Sequence, residues 1–285
     1  MNYLIIGGTG TLGREVIKRL LENGKNDVVC FSRDELKQKQ VAQEFANSPN
    51  LRFVIGDMRD RGALDRAMVN VDVVYLLAAL KHVDTLEENP EESVKTNILG
   101  VMNVADAAIG ANVPFVVFSS TDKAVAPCNV YGMCKGIAEK ILLRLNHTQH
   151  TTRFSVFRWG NVLGSRGSVI GVFAKTLITE NKAYLTDPDM TRFWIRIEDA
   201  AEFMIENYYR HHAVNIPPIK AAPVKSVIAA VAKIVGATKY DIVSLGIRQG
   251  EKIHETLLPG LVSDSSAQYS ELELVSLLRP IVGNS

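Results

Sequence analysis

Three glycines, Gly7, Gly10 and Gly13, lie between a short apolar segment at 3–6 and an amphipathic segment that starts at residue 14. The first segment predicts a buried strand and the second a helix. Glycines at this spacing allow a tight turn, close approach of the backbone to a pyrophosphate and close packing of helix on strand. The helix N-terminus adds N–H groups that favour phosphate. A strand-to-helix loop of this kind indicates dinucleotide binding rather than a plain turn, through Gly7, Thr9, Gly10, Thr11 and Leu12.

Apolar runs and amphipathic segments alternate after this loop. Further strands are predicted at 28–31, 51–55, 73–77, 113–118 and 154–158. A helical segment is predicted between each of these strands and the strand that follows it. This alternation predicts the α/β class with a doubly wound parallel sheet, the Rossmann arrangement. We expect a dinucleotide-binding domain over residues 1–161. We expect a smaller substrate-binding lobe over 162–285, within which the chain can return to the sheet.

The end of the second strand bears on the choice of cofactor. An NAD site usually places a carboxylate there for the ribose 2′-hydroxyl, whereas an arginine accommodates a 2′-phosphate. Here Ser32 and Arg33 follow the strand, and Asp34 comes one position late for the usual acid. The pattern favours NADP over NAD. The alternative is that Arg33 is a solvated loop charge.

The ends of the third and fourth strands carry further candidates. Asp57, followed by Met58, can contact the adenine edge or cap the next helix. Ala78 is small enough for the nicotinamide half to lie close to the backbone. Lys81 and His82 follow, and a lone histidine such as His82 is more often a surface or packing residue than a catalyst.

The richest chemistry follows the fifth strand, where Ser119, Ser120, Thr121, Asp122 and Lys123 are consecutive. Ligands of open α/β sheets bind outside the carboxyl ends of the strands. Tyr131 and Lys135 then lie four residues apart, on one face of the next helix. A phenol beside an ammonium ionises more easily, because the positive charge favours the phenolate. Each element alone also fits a turn, a helix cap or a chance pair.

Beyond residue 158 the pattern is less regular. A loop rich in glycine, serine and arginine, 159–168, is a further candidate for wrapping phosphate. Arg192 and Arg248 are the best anion-binding candidates of the second region, since a guanidinium binds phosphate in a bidentate manner. Each could equally form a surface ion pair.

Composition excludes several classes. The formal net charge is +1, so no basic footprint for nucleic acid or an anionic membrane is present. The three cysteines are an odd number and lack metal-ligand spacing, which predicts a reducing compartment, no disulfide framework and no metal site. No signal peptide and no run of about 20 apolar residues is evident. We therefore expect a cytoplasmic protein without membrane or nucleic-acid partners.

Several motifs together resemble a known family. They are GGTGTLG at 7–13, SRDELKQ at 32–38, AALKHVD at 78–84, SSTDKA at 119–124, NVYGMCK at 129–135, RWGNVLGSRGS at 158–168, MTRFWI at 190–195 and IRQGEKIHE at 247–255. The chain resembles extended short-chain dehydrogenases that act on nucleotide sugars, and among them the soluble, inverting UDP-N-acetylglucosamine 4,6-dehydratases. The resemblance runs from residue 3 to about residue 258. The chain departs from it in Met133-Cys134, where Ala-Thr is common, and in a shorter C-terminus.

The resemblance implies roles for these motifs. Thr121, Asp122 and Lys123 match the catalytic triplet, and Tyr131 with Lys135 matches the family's Tyr–Lys pair. The 2′-phosphate-binding turn is matched by Ser32, Arg33, Asp34, Glu35, Leu36 and Lys37. Lys81 matches a residue near cofactor and substrate, and Asn161 and Arg248 match contacts to the nucleotide-sugar diphosphate. We add Ser119, Ser120 and Arg192 as substrate contacts.

The implied reaction is NADP-dependent 4,6-dehydration of the UDP-sugar, with inversion at C5. Tyr131 takes the 4-hydroxyl proton, with its pKa lowered by Lys135 and by the cationic nicotinamide. Lys123 removes the C5 proton, Asp122 protonates the departing 6-hydroxyl, and Thr121 orients the C4 oxygen. A nucleotide-sugar 4-epimerase or a non-catalytic NADP-binding protein of the same fold are the alternatives. Relatives self-associate through helices that match 91–109 and 131–146, so a homo-oligomer is expected.

Overall fold

The computed structural model describes residues 1–22, 24–45, 48–165, 167–211 and 213–283. Its strands are β1 Asn2–Ile6, β2 Asp27–Ser32, β3 Leu51–Ile55, β4 Val73–Leu76, β5 Phe115–Ser119, β6 Arg153–Phe157, β7 Asn161–Leu163, β8 Lys182–Leu185, β9 Thr191–Arg196, β10 Val214–Asn215, β11 Lys220–Pro223, β12 Asp241–Ser244, β13 Thr256–Leu258 and β14 Leu261–Val262. Its α-helices are α1 Thr11–Leu21, α2 Glu35–Glu44, α3 Arg61–Ala67, α4 Val83–Glu88, α5 Pro90–Val94, α6 Gly100–Gly110, α7 Val130–Thr148, α8 Val169–Glu180, α9 Ile197–Glu206, α10 Val224–Val235 and α11 Glu271–Val282. A π-helical turn at Lys95–Leu99 joins α5 to α6, and a 3₁₀ turn, Asp122–Ala124, follows β5.

The chain divides into two compact units, which we call unit 1 (1–158 and 198–215) and unit 2 (159–197 and 216–285). In the part of unit 1 that the structure describes, a seven-stranded sheet has the order β10-β6-β5-β4-β1-β2-β3. All of its strand pairs are parallel. The predicted doubly wound parallel sheet is confirmed, and β10 is contributed by the segment that returns after residue 197.

The core of unit 1 explains why these segments form strands. The central strands are apolar at nearly every position and buried on both faces, as a parallel sheet covered by helices requires. On α1 the buried side chains are Val16, Ile17 and Leu20, which recur at helical spacing and face the sheet. The polar side of that helix carries Lys18 and Arg19 in its last turn, where cations favour the helix dipole.

Unit 2 is built around a separate apolar cluster that α8, α10 and α11 share with β8 and β9. In unit 2, strand β9 pairs antiparallel with β11 and parallel with β7. The last helix, α11, starts with a capping box in which Ser270 and Glu273 satisfy each other's backbone N–H groups. Over the described ranges, the helices lack the combination of length and apolar character that crossing a bilayer requires.

Candidate active site

The carboxyl ends of four neighbouring strands lie level at one edge of the sheet. Ile6 of β1 pairs with Leu76 of β4, Leu76 pairs with Phe118 of β5, and Phe118 pairs with Val156 of β6. The segments that leave these strands therefore start side by side. The sheet grows in opposite directions from β1 and β4, so this edge is the topological switch point at which open α/β sheets bind ligands.

The glycine loop after β1 is packed too closely to hold side chains. Gly7 has a φ of +91°, and a Cβ on it would lie 2.6 Å from the backbone nitrogen of Ala78. A Cβ on Gly13 would lie 2.5 Å from the carbonyl oxygen of Gly7. Gly10 is the N-cap of α1, Thr9 is buried in the loop, and Thr11 and Leu12 start the first turn. A bare backbone that leads into a helix N-terminus is the cradle that a pyrophosphate fits.

The turn after β2 uses its acid internally. Asp34 is the N-cap of α2, where its carboxylate accepts a hydrogen bond from the backbone N–H of Lys37 and lies 2.6 Å from Lys37 Nζ. Ser32 ends β2, and its hydroxyl accepts from the Gln38 side chain at 3.1 Å. Arg33 is half exposed, and the helix starts with Glu35 and Leu36. Asp34 is thus engaged as a helix cap.

Asp57 lies among arginines rather than at a helix start. Its carboxylate accepts from Arg59 Nη2 at 2.7 Å and lies 3.4 Å from Arg33 Nη1. Burial raises the pKa of Asp57, but the hydrogen bonds and charge of Arg59 and the charge of Arg33 outweigh it and leave the pKa below its ordinary value. Asp60, not Asp57, is the N-cap of α3, so the predicted alternative role of Asp57 as a helix cap is wrong. The Met58 side chain is buried in the core.

The segment after β4 is held by a buried asparagine. The backbone N–H of Ala78 donates to the carbonyl of Ile6 at 2.9 Å. Asn97, in the π-helical turn, accepts from the backbone N–H of Leu80 at 3.0 Å and donates to its carbonyl at 2.8 Å. The next residue, Lys81, is exposed. The asparagine thus fixes the path of the chain between Ala78 and Lys81.

Thr121, Asp122 and Lys123 form one hydrogen-bonded group after β5. Asp122 Oδ1 accepts from Thr121 Oγ1 at 3.0 Å and from Lys123 Nζ at 3.1 Å. Asp122 has no exposed surface, and its second oxygen, Oδ2, is buried without a hydrogen-bond partner. The Lys123 side chain is 24% exposed. The amine is therefore the accessible member of this acid–amine pair.

Tyr131, in the first turn of α7, is half-buried and hydrogen-bonded to Thr121. Burial raises the pKa of Tyr131 to about 12, and the charge of Asp122 acts in the same direction. The charge of Lys123 and the hydrogen bond with Thr121 lower it only in part. The expectation that Lys135 lowers this pKa is wrong for the protein alone, because burial prevails and the opposing charge belongs to Lys123.

Lys135 faces β5 from the same helix. Its ammonium donates to the carbonyl of Ser119 at 2.5 Å and lies 3.8 Å from the centre of the Phe118 ring. Burial lowers the pKa of Lys135 to about 7, against the charge of Glu139, which raises it. The amine is thus poised to change charge near neutral pH.

Ser120 does not present its hydroxyl to a ligand. It is buried, its backbone N–H donates to the carbonyl of Phe157, and its hydroxyl donates to Glu139 Oε1. The same carboxylate accepts from Arg158 Nε at 3.0 Å. The predicted substrate contact of the Ser120 side chain is therefore replaced by a bond inside the protein, whereas Ser119 stays partly exposed.

In unit 2, Asn161 starts β7, pairs with Trp194 and is partly exposed. Arg248 lies exposed in the segment between β12 and β13, where its backbone N–H donates to Glu251 Oε2 at 3.3 Å. Arg166, part of the predicted phosphate-wrapping loop, lies outside the described residues. Both Asn161 and Arg248 thus keep side chains that can contact a ligand.

Arg192 is a structural clamp. It is buried, and Nη1 donates to the carbonyls of Thr191 at 2.8 Å and Ile253 at 2.9 Å. Nη2 donates to the carbonyl of Lys252 at 2.8 Å and to the sulfur of Met190 at 3.2 Å. Four of its five N–H groups are thus taken up by the protein. The prediction that Arg192 binds a substrate anion is wrong for this arrangement, because the guanidinium ties β9 to the segment before β13.

Sequence reasoning missed two buried side chains, Asn97 and Glu139, that fix the backbone segments of the site by hydrogen bonds. Asn97 clasps a segment 17 residues away, and Glu139 joins Ser120 to Arg158. A signal existed for Glu139, because it follows Lys135 by four residues and so shares the helix face of Tyr131 and Lys135. No comparable pattern identifies Asn97, since its partner is a backbone segment rather than a side chain.

Comparison with known proteins places the chain among sugar-nucleotide enzymes. Residues 3–276 match the family model described as polysaccharide biosynthesis protein. A curated relative from Campylobacter jejuni, named UDP-N-acetylglucosamine 4,6-dehydratase (inverting), is 43% identical over 99% of this chain and 83% of its own. One from Rickettsia bellii, named UDP-glucose 4-epimerase, is 39% identical over 90% of this chain and 76% of its own.

The structural comparison agrees with the family match. The X-ray structure of Pen from Bacillus thuringiensis superposes with a TM-score of 0.91 at 32% identity, and covers 98% of this chain and 97% of that one. The resemblance that the sequence motifs indicated is confirmed at the level of the family.

Proposed function

The chain belongs to the polysaccharide biosynthesis protein family, and from this we propose that it catalyses the NADP-dependent 4,6-dehydration of UDP-N-acetylglucosamine, with inversion at C5. The observation that carries the proposal is the acid–amine pair of Asp122 and Lys123 beside Tyr131, at the edge where the glycine loop begins. A 4-epimerase needs a proton shuttle only at the 4-hydroxyl. Elimination of water across C5 and C6 needs a base and an acid besides, and this pair can supply both.

A nicotinamide dinucleotide fits the residues around the loop. The bare backbone at Gly7 and Gly13 and the start of α1 suit its pyrophosphate. Arg33 suits a ribose 2′-phosphate, and Asp34 is already used as a helix cap, which supports NADP over NAD. When bound, the oxidised nicotinamide supplies a positive charge, an acceptor for the C4 hydride and, once reduced, the hydride for C6. We further propose that Asp57 and the backbone at Ala78 contact the dinucleotide.

Tyr131 performs the first proton transfer. Its phenolate oxygen, aligned by Thr121, receives the proton of the sugar 4-hydroxyl as C4 is oxidised. Because burial holds the pKa of Tyr131 near 12 in the protein alone, this step depends on positive charge that gathers around it. Lys123 supplies one such charge while it is protonated, and it passes its proton to Asp122 before the next step.

Asp122 and Lys123 remove water from the resulting 4-ketone. Neutral Lys123 takes the C5 proton, and Asp122 gives its proton to the departing 6-hydroxyl, so that water leaves and a C5–C6 double bond forms. The second oxygen of Asp122, Oδ2, is buried without a hydrogen-bond partner. The elimination leaves Lys123 protonated and Asp122 ionised, and one proton passed over 3.1 Å from Nζ to Oδ1 restores the base and the acid. C5 then takes up a proton from solvent, and Tyr131 releases to solvent the proton that it gained.

The remaining contacts follow from exposure. We propose Lys81 and Ser119 as sugar contacts in unit 1, because both are at least partly exposed at the sheet edge. In unit 2 we propose Asn161 and Arg248 for the diphosphate, since a guanidinium forms charge-assisted bonds with phosphate oxygens.

We also propose a homo-oligomer. Apolar side chains are exposed on the helices for which self-association was expected: Leu99 at 49%, Met102 at 39%, Met133 at 48% and Ile137 at 47%. Exposed apolar side chains on neighbouring helices favour contact with another copy. Sedimentation analysis of the full chain tests this, and Met102→Glu with Ile137→Glu should shift the protein to monomers.

The test of the reaction is incubation with UDP-N-acetylglucosamine and NADP⁺ in deuterated water. We expect a product lighter by one water, with deuterium at C5, and ring couplings that report an inverted C5. Formation of the 4-epimer without water loss would favour the epimerase instead. Alanine at Asp122 and at Lys123 should abolish water loss and leave NADP⁺ binding intact.

A further inference from the structure

One buried carboxylate connects three elements behind the site. Glu139 lies on α7, four residues after Lys135, and is 4% exposed. It accepts a hydrogen bond from Ser120 after β5 and two from Arg158 after β6. Removal of a partner from such a buried group leaves an uncompensated charge, which is strongly destabilising. Both oxygens of this carboxylate are therefore held by hydrogen bonds in the protein interior.

Lys135 and Glu139 together fix the segment that precedes the acid–amine pair. Lys135 holds the carbonyl of Ser119, and Glu139 holds the hydroxyl of Ser120. Thr121 follows at once, and it bonds both Asp122 and Tyr131. A turn that is bonded at two successive residues to one helix has little freedom to slide along it. The position of Thr121 relative to Tyr131 is thus set by side chains one and two turns further along α7.

Glu139 is the charged group that acts on Lys135, although its own ion-pair partner is Arg158. On its own helix the charged group that acts on Lys135 is Glu139. From the turn after β5, Asp122 and Lys123 act on Tyr131, and from β6 Arg158 pairs with Glu139. From α4, Glu87 accepts from the backbone N–H of Val130 at 2.6 Å, and from α5 the neutral Ser93 donates to Cys134.

We propose that Glu139 is a positioning residue of this site: it ties the turn that carries Thr121 to α7, and its carboxylate lies on the same helix face as Lys135, one turn further along. Neither the family match nor the proposed reaction assigns it a role. The inference rests on the proposed function only in that Lys135 serves dinucleotide binding and the chemistry of Tyr131.

The test compares three variants in protein labelled with ¹³C-lysine, without sugar nucleotide or dinucleotide. Glu139→Gln removes the charge and keeps the shape, Glu139→Asp keeps the charge, and Ser120→Ala removes a neutral bond to the same carboxylate. The ε-carbon resonance of Lys135, assigned with Lys135→Arg, reports its titration midpoint. We expect the midpoint of Glu139→Gln to fall by about one pH unit, since a nearby opposite charge favours the charged form by this amount.

The Lys135 midpoint of Glu139→Asp should lie close to that of the unaltered protein. The midpoint of Ser120→Ala should change by less than half as much as that of Glu139→Gln. Equal midpoints in Glu139→Gln and the unaltered protein would overturn the proposal. Should Glu139→Gln not fold, a midpoint of Glu139→Asp slightly below that of the unaltered protein supports the proposal, because the shorter side chain places the carboxylate farther from Lys135, and an unchanged midpoint overturns it.

A second measurement follows NADP⁺ affinity against pH by fluorescence. In Glu139→Gln, affinity should be lost at a lower pH than in the unaltered protein, because Lys135 loses its proton earlier; coincident pH curves would contradict the proposed role. If none of the proteins binds NADP⁺, the proposed function fails, while the lysine titration still decides the role of Glu139.

Discussion

Lys123 Nζ lies 3.1 Å from Asp122 Oδ1, and the other oxygen of Asp122 is buried without a hydrogen-bond partner. This pair adjoins the hydroxyls of Thr121 and Tyr131. Oxidation and reduction at C4 alone require only one proton-transfer group, the phenol of Tyr131. Asp122 and Lys123 are two further proton-transfer groups, as elimination of water requires.

Lys123→Met should lower the rate of water loss by roughly 10²- to 10⁴-fold, the usual contribution of one general acid or base. Lys123→Arg should be as poor, because a guanidinium does not release its proton to become a base. NADP⁺ affinity, measured by calorimetry, should change little in either. The control is Lys140→Met, an exposed lysine of the same region, which should keep full activity. Activity retained in Lys123→Arg would show that the amine is not the base.

Arg33 should determine the preference for NADP. Arg33→Ala should weaken NADP⁺ binding by about 10- to 100-fold, since a hydrogen bond to a charged group contributes about 1.5–3 kcal/mol, and should leave NAD⁺ affinity within a few-fold. Lys39→Ala is the control, because Lys39 is an exposed cation of α2 paired with Glu35. Equal losses for NADP⁺ and NAD⁺, or equal losses in both variants, would mean that Arg33 does not contact the 2′-phosphate.

The pKa values of Lys135 and Tyr131 predict opposite pH dependences of stability. For Lys135 the folded value, about 7, lies below the unfolded value of 10.5, so the unfolded chain binds more protons between them and stability rises with pH there. For Tyr131 the folded value, about 12, lies above the unfolded value of 10.0, so its contribution is present below pH 10 and is lost towards pH 12.

Urea unfolding of the unaltered protein, Lys135→Met and Tyr131→Phe measures these contributions as differences. Between pH 7 and 10 the unaltered protein should gain stability relative to Lys135→Met, by up to a few kcal/mol. Between pH 10 and 11 it should lose stability relative to Tyr131→Phe. A difference from Lys135→Met that is constant with pH would show that the lysine titrates normally.

We expect substitution of Arg192 to affect stability and substitution of Arg248 to affect substrate binding. Arg192→Met should lower the free energy of unfolding by about 2–4 kcal/mol, because it leaves buried carbonyls unpaired, while Arg248→Met should stay within about 0.5 kcal/mol as a surface change. Conversely, Arg248→Met should raise the KM for the sugar nucleotide about 10-fold or more, as expected for a lost phosphate contact. A raised KM with unchanged stability in Arg192→Met would restore its predicted role in anion binding.

The contrast between these arginines shows what a sequence can predict here. Local patterns suffice for the sheet and for the loop at Gly7, because strand, turn and helix signals are read over a few residues. Whether Arg192 binds an anion or backbone carbonyls depends on Lys252 and Ile253, which lie about 60 residues later in the chain and contact it in the fold. A local sequence pattern does not predict such a long-range contact.

The same limit applies to the pKa values. The spacing of Tyr131 and Lys135 predicts that they share one helix face, and both belong to α7. Their pKa values, however, depend on burial against β5 and on charges from the turn that precedes the helix. Helical spacing therefore predicts which side chains share a face but not which charges face them.

The measurement that tests the central claim most directly uses UDP-N-acetylglucosamine deuterated at C4. Loss of water with return of the hydride to C6 predicts a product lighter by one water that carries the deuterium in its C6 methyl group, with none released to solvent. A product of unchanged composition that retains deuterium at C4, with the 4-hydroxyl inverted, would contradict the dehydratase and establish an epimerase.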